Sequence, residues 1–305
     1  MAPPKTLLYT DTPPAQGREQ LGTLVFVHGW PDSASLWDGQ VERLSREGYR
    51  CVCVTLPGFG NSALDRAHRF GYTFVEIADA LARLIREEIA TGEDQQVTLV
   101  VHDWGSYFGF FAQNLYPTLV RAVVAMDVGP PLFGRAPPWR TMPVIVLAGL
   151  IYQYWLILAW AIALFVPFGL GRPLGDALAR LVARSTGAGT PPPTAIAKAA
   201  NCYPYFYMHY GMWAERLGLK KPDGNRPRSR AEVPSCPCLF FWGKGKGFKF
   251  HSEPWARALE ARTDGSRVVA LERAKHWLMI DEREAVNDRI VQWLALLDDE
   301  DLVEL

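Results

Sequence analysis

Short runs rich in β-branched and aromatic residues recur at 24–28, 50–56, 97–101 and 121–126, and each reads as a buried strand. Between them, apolar positions repeat with helical spacing over 35–47 and strongly over 73–90, which predicts amphipathic helices. Strand and helix alternating at this distance predict a mostly parallel, doubly wound sheet covered on both faces, an α/β fold. The pattern resumes after Ser235 with the strand PCLFFWG, a helix near 253–262, the strand RVVAL and a last helix over 282–297.

The alternation stops between Val128 and about Ser235, where apolar helical text is broken by clusters such as GTPPPT at 189–194. An inserted helical cap explains this. The expected organisation is a discontinuous core, 1–128 and 235–305, carrying a cap or lid at 129–234. The segments KKPDGNRPRSR at 220–230 and DDEDLVEL at the end read as a solvated loop and tail.

Thirty-two basic residues against 32 acidic ones leave no net charge to gather nucleic acid, so a small neutral or apolar ligand is expected. The five cysteines lack zinc spacing and read as reduced, buried thiols. The start, MAPPKTLLYTDTPPAQG, carries no apolar run of secretory length, so a cytoplasmic protein without a cleaved signal is expected. No charged residue occurs over 141–171, and VIVLAGLIYQYWLILAWAIALF within it is long enough to span a bilayer. A buried or monotopic cap helix lining a lipophilic tunnel is the preferred reading of 141–171, with association at a membrane surface as its corollary.

The chemistry centres on VTLVVHDWGSYFGFFAQ, a strand that turns sharply at His102, Asp103, Trp104 and Gly105 and enters a helix. A turn of this kind lifts one side chain above the sheet against a helix N-terminus, where an anion is favoured. The lifted residue is Asp103, an ionised carboxylate placed as a nucleophile. Ser106 lies outside the lifted position, which disfavours an ordinary serine esterase.

HDWG at such an elbow, with FVHGWPDS at 26–33 and ERAKHWLMIDE at 272–282, resembles the α/β-hydrolase-fold epoxide hydrolases and haloalkane dehalogenases. The resemblance covers most of both core segments and implies an aspartate that forms an alkyl-enzyme ester, without metal or organic cofactor. It implies an oxyanion hole from the Trp30 and Trp104 amides and a water-activating base at His276. It further implies substrate contacts at His28, Pro31 and Gln153.

The acid that orients the base departs from the epoxide hydrolase pattern. After PCLFFWG come Lys244, Gly245, Lys246, Gly247, Phe248 and Lys249, with no carboxylate before Glu253. RAVVAMDVGPP instead places Asp127 at the end of the strand before the cap, the position used by some dehalogenases, and Asp127 is the expected acid. In the cap, IYQYW and NCYPYFY resemble the stretches that supply two proton-donating tyrosines. They single out Tyr152 and Tyr203, with Tyr154, Tyr205 and Tyr207 as adjacent alternatives.

The expected activity is therefore opening of a lipophilic epoxide to a vicinal diol. A haloalkane dehalogenase with the same Asp103, His276 and Asp127 is the first alternative. A non-catalytic ligand-binding protein on a hydrolase frame is the second.

Overall fold

The computed structural model describes residues 7–60, 68–90, 96–129, 142–185, 197–220, 234–246 and 249–299. The GTPPPT cluster, nearly all of the 220–230 loop and most of the acidic tail lie outside these residues.

Seven strands form one sheet: β1 (Leu8–Thr12), β2 (Gly22–Val27), β3 (Tyr49–Thr55), β4 (Val97–His102), β5 (Val120–Met126), β6 (Cys238–Gly243) and β7 (Arg267–Leu271). Their order is β1-β3-β2-β4-β5-β6-β7, with β1 antiparallel to β3 and every other pairing parallel. Strand β1 has no counterpart among the expected elements. Its text, LYTDT, alternates polar residues onto an exposed edge and buries too little to give a strand-like apolar run.

Helices α1 (Asp38–Arg46), α2 (Phe74–Leu84), α3 (Trp104–Leu115), α7 (Glu253–Glu260), α8 (Leu278–Asp281) and α9 (Arg283–Asp298) accompany the sheet. The five inner strands β2–β6 are buried on both faces, and two apolar clusters result. One holds Val25, Val101 and Phe108 beneath α2 and α3; the other holds Phe26, Val124 and Trp293 beneath α1 and α9. The single helix expected over 73–90 is an α-helix only to Leu84, then widens into a π-type turn at Ile85–Ile89. Thr73 caps its start by accepting from the Glu76 amide, while the Glu76 carboxylate accepts from the Thr73 amide.

Between β5 and β6 the described elements are helical: α4 (Met142–Phe165), α5 (Gly171–Ser185), a short 3₁₀ turn (Ala199–Cys202) and α6 (Tyr203–Arg216). Gly175 lets α4 and α5 approach closely, because a Cβ there would overlap the Ala159 carbonyl. The side chains of α4 are described from Ile151 onward, and among the described residues no helix is long and apolar enough to cross a membrane. All five cysteines are free, four of them buried.

Candidate active site

Strand β4 ends at His102, α3 starts at Trp104, and the residue between them, Asp103, has φ 53° and ψ −122°. That backbone state is sparsely populated for a residue with a Cβ, and it exists here because two glycines make room for it. A Cβ at Gly105 would overlap the Val27 carbonyl, and a Cβ at Gly29 would overlap the Asp103 carboxylate itself. The glycines of HGWP and HDWG thus permit one close approach, of the β2 loop to the elbow.

The two oxygens of Asp103 face different partners. Oδ1 accepts the Trp30 amide at 2.7 Å, while Oδ2 lies 3.6 Å from His276 Nε2. The second distance exceeds a hydrogen bond and leaves Oδ2 uncommitted. Burial raises the carboxyl, but the facing His276, then His102 and the Trp104 amide, outweigh it and hold Asp103 below its ordinary value. The Asp103 side chain keeps 18% exposure, against 7% for His276.

His276 Nδ1 meets Asp127 Oδ2 at 2.6 Å, and Asp127 is fully buried with φ 66°. The His276 ring is enclosed by His102, Phe250 and Trp277, with centroids 4.5 Å, 5.3 Å and 4.8 Å away, and its carbonyl bonds His102 Nε2 at 3.0 Å. Burial holds His102 well below its ordinary value, so that ring is neutral and serves as packing under the base.

The other oxygen of Asp127 pairs with the Lys246 ammonium, whose side chain is 4% exposed. Lys246 follows β6, the stretch where the resemblance leads one to look for an acid. A cation there compensates the acid of the neighbouring strand instead. Burial lowers Lys246 to about 7.

Tyr152 of α4 and Tyr205 of α6 stand over this group edge to face, 6.0 Å apart, and Tyr205 also meets Trp104 at 4.8 Å and Trp30 at 5.8 Å. Burial, the Tyr152 phenol and the Asp103 charge hold Tyr205 well above its ordinary value. Burial and Asp103 push Tyr152 up to about 12, opposed by Gln153. Tyr107 of α3 is raised by burial, Asp103 and Tyr152 as well.

Four expected site residues take other places than the resemblance implied. Tyr203 is fully buried at the start of α6, edge-on to Phe59 and Tyr72 and filling the space over Gly71, whereas Tyr205 is the residue presented to Asp103. Two residues along a helix point in directions about 200° apart, so both cannot face the elbow. His28 is fully buried, with Nδ1 at 2.9 Å from the Gly29 carbonyl and Nε2 accepting the Leu56 amide at 3.2 Å, and burial lowers it to about 4. It therefore clasps the loop that aims the Trp30 amide, with no nitrogen left for substrate. Pro31 is buried in the same loop behind a cis peptide bond. Gln153 turns to Tyr152 Oη at 3.3 Å and His209 Nε2 at 2.8 Å, orienting the phenol from behind.

The structure adds residues that the motifs did not assign. Trp30 Nε1 donates to Asn201 Oδ1 at 3.1 Å, tying the loop to the cap. Asp32, inside HGWPDS but given no role, is buried beneath the site and accepts from Trp277 Nε1 at 3.0 Å. Burial pushes Asp32 up to about 7, opposed by the Trp277 N–H and assisted by the Asp103 charge. Among the described residues, no cluster of His, Cys, Asp or Glu is arranged to hold a metal ion.

Two stability measurements follow from these buried charges. Lys246→Met leaves Asp127 undercompensated and is expected to lower the unfolding free energy by about 3 kcal/mol. Asp127→Asn combined with Lys246→Met is expected to cost less than the sum of the two single changes in denaturant titrations; strict additivity would contradict the pairing. For Asp32 the folded value lies above the unfolded 3.8, so the folded protein keeps a proton that the unfolded chain releases. Its contribution to stability falls as pH rises from about 4 to about 7 and is level above that. The stability of Asp32→Asn relative to wild type is expected to improve across that window, and a pH-independent difference would contradict it.

The α/β hydrolase family model matches residues 24–289. A cis-3-alkyl-4-alkyloxetan-2-one decarboxylase of Xanthomonas campestris pv. campestris is 27% identical over 301 residues, covering 91% of this chain and 88% of that protein. Epoxide hydrolase B of Mycobacterium tuberculosis is 30% identical over 125 residues, 41% of this chain and 32% of its own length. Among solved structures, epoxide hydrolase A of Mycobacterium thermoresistibile superposes with a TM-score of 0.64 at 21% identity, covering 95% of this chain and 94% of its own. An inhibitor complex of the Bacillus megaterium epoxide hydrolase gives 0.60 at 18% identity, covering 95% and 96%. With its mostly parallel sheet, elbow and interposed helices, the chain belongs to the α/β hydrolase family.

Proposed function

We propose that this protein opens a strained oxygen-containing ring of a lipophilic substrate by attack of Asp103 on a saturated ring carbon, and that an epoxide is the ring opened. The observation that carries this reading is the division of the Asp103 carboxylate, Oδ1 on the Trp30 amide and Oδ2 uncommitted. Oδ2 forms the new C–O bond while the ring C–O bond breaks, and the oxygen takes a proton from Tyr152 or Tyr205. Both phenols remain protonated at neutral pH because burial and Asp103 raise them.

The ester then has its carbonyl oxygen, the former Oδ1, already against the Trp30 amide, and the Trp104 amide also reaches this carboxyl group. His276 Nε2 removes a proton from water, hydroxide adds to the Asp103 carboxyl carbon, and the charge develops on the oxygen that the Trp30 amide faces. Asp127 keeps the His276 ring turned toward Asp103. Collapse releases a vicinal diol and returns the proton to the phenol.

Two phenols over the nucleophile support ring opening over dehalogenation, since a halide leaving group needs no proton. Trp30 Nε1 is committed to Asn201, which leaves Trp104 as the one indole of the two elbow loops available to a halide.

The relative that aligns over most of the chain favours a second ring. On an oxetan-2-one the same Asp103 attack would break the ring C–O bond and leave a carboxylate. The C–C electrons then form an alkene, carbon dioxide departs, and the Asp103 oxygen is expelled, with no water consumed.

Intact-mass analysis of His276→Gln tests the proposal with lipophilic epoxides and dialkyl oxetan-2-ones. A mass gain equal to a whole epoxide, absent when Asp103→Asn is added, is the expected result. Release of alkene and carbon dioxide from the lactone, with no epoxide adduct, would move the assignment to the second ring; halide release from a haloalkane panel, with an alkyl adduct, would contradict ring opening. Unaltered tight binding of epoxide by Asp103→Ala, with no adduct anywhere, would make the chain a binding protein. Tyr205→Phe is expected to lower kcat by about 100-fold, the scale of a lost general acid. Tyr203→Phe should leave kcat near wild type, and the reverse ranking would restore Tyr203 to the site.

A further inference from the structure

Most of the large apolar side chains left exposed in the described structure lie on the outer face of α4 and α5 and the turn between them, including Trp155, Leu158, Phe165, Phe168, Leu170 and Leu174. The opposite face of α4, with Leu156, Ala159 and Trp160, is buried against the rest of the cap. The helix is thus committed on one side and bare on the other. All five residues of the turn at 166–170, VPFGL, are exposed, and Phe168 is 93% exposed with φ 60°. A large ring held outward on left-handed backbone contributes nothing to the folded core, so its placement answers to something outside the chain.

The charges around the patch have one sign. Arg172 and Arg184 are exposed and Arg180 is half-buried on α5, and Arg69 reaches from the core to the Leu164 carbonyl, over Phe70. The acid of this region, Asp176, faces inward and accepts the Ala199 amide at 2.8 Å. A second copy of the same face would bring like charges together. An anionic lipid surface satisfies both components, taking the apolar tip among acyl chains and the arginines among headgroups.

We infer that the α4–α5 tip docks this protein onto an anionic phospholipid surface, lying in the interface rather than crossing it. Beside the tip, a cavity of about 410 Å³ opens between Phe70 and the cap residues Trp160, Phe165, Phe206 and Tyr210. Its lining is almost wholly apolar, and Phe165 belongs both to this cavity and to the exposed tip. An acyl chain leaving the bilayer meets the cavity first. Docking itself is independent of which ring Asp103 opens.

Vesicle flotation tests the inference, using phosphatidylcholine vesicles with and without phosphatidylglycerol. The wild-type chain is expected to float with the anionic vesicles and to lose binding as salt rises. Phe168→Asp with Leu170→Asp should lower the partition coefficient about 100-fold, as expected when two apolar anchors are lost. Arg172→Glu with Arg184→Glu should lower it about tenfold or more. Unchanged melting temperatures will show that both variants fold, since every substituted side chain is exposed. Wild-type protein that stays with neither vesicle overturns the inference, as does flotation unaffected by the apolar pair. A concentration-dependent dimer in sedimentation velocity, dissolved by Phe168→Asp with Leu170→Asp and unaccompanied by flotation, would assign the face to a second copy and overturn it as well.

Discussion

One carboxylate held at the end of a buried strand, with one oxygen on a backbone amide and the other free, is the constraint around which the rest is arranged. It requires left-handed backbone at Asp103, and that requires the β2 loop to pass where any Cβ at Gly29 or Gly105 would collide. The loop is fixed from below by the His28 bonds to Gly29 and Leu56 and from above by Trp30 reaching Asn201 in the cap. The strand order places β2 beside β4, so elbow and donor loop emerge from the same end of adjacent parallel strands.

Charge is the second layer. Asp103, Asp127 and Asp32 are grouped with His276, His102 and Lys246, and the protein separates their roles by the partners each one meets. Asp127 is paired with both Lys246 and His276, while Asp32, with an indole N–H as its hydrogen-bond partner, is raised by desolvation. With Lys246 charged, Asp127 and Lys246 are together neutral. Asp127 then serves His276 more as an orienting acceptor than as a bare negative charge.

Much of this was legible in the text of the chain. The short β-rich runs located six of the seven strands, and the elbow, the HGWP loop and the histidine before the last helices each carry a local signature that survives without a structure. Strand β1 escaped because an exposed edge strand has no apolar run. The cap residues were harder, since five tyrosines occur in two aromatic stretches and only helix phase distinguishes Tyr205 from Tyr203. Lys246 illustrates a different limit. The missing carboxylate after β6 was visible, but that a lysine there closes an ion pair on Asp127 depends on two strands meeting side by side.

The central claim is that an Asp103 oxygen, and not a water oxygen, makes the first bond to substrate. A single turnover with enzyme in excess, run in heavy-oxygen water with a lipophilic epoxide, tests it most directly. The account predicts diol without the heavy label and a peptide carrying Asp103 with one heavy oxygen incorporated. Label in the first-turnover diol with an unlabelled Asp103 peptide would show direct hydration of the ring and contradict it.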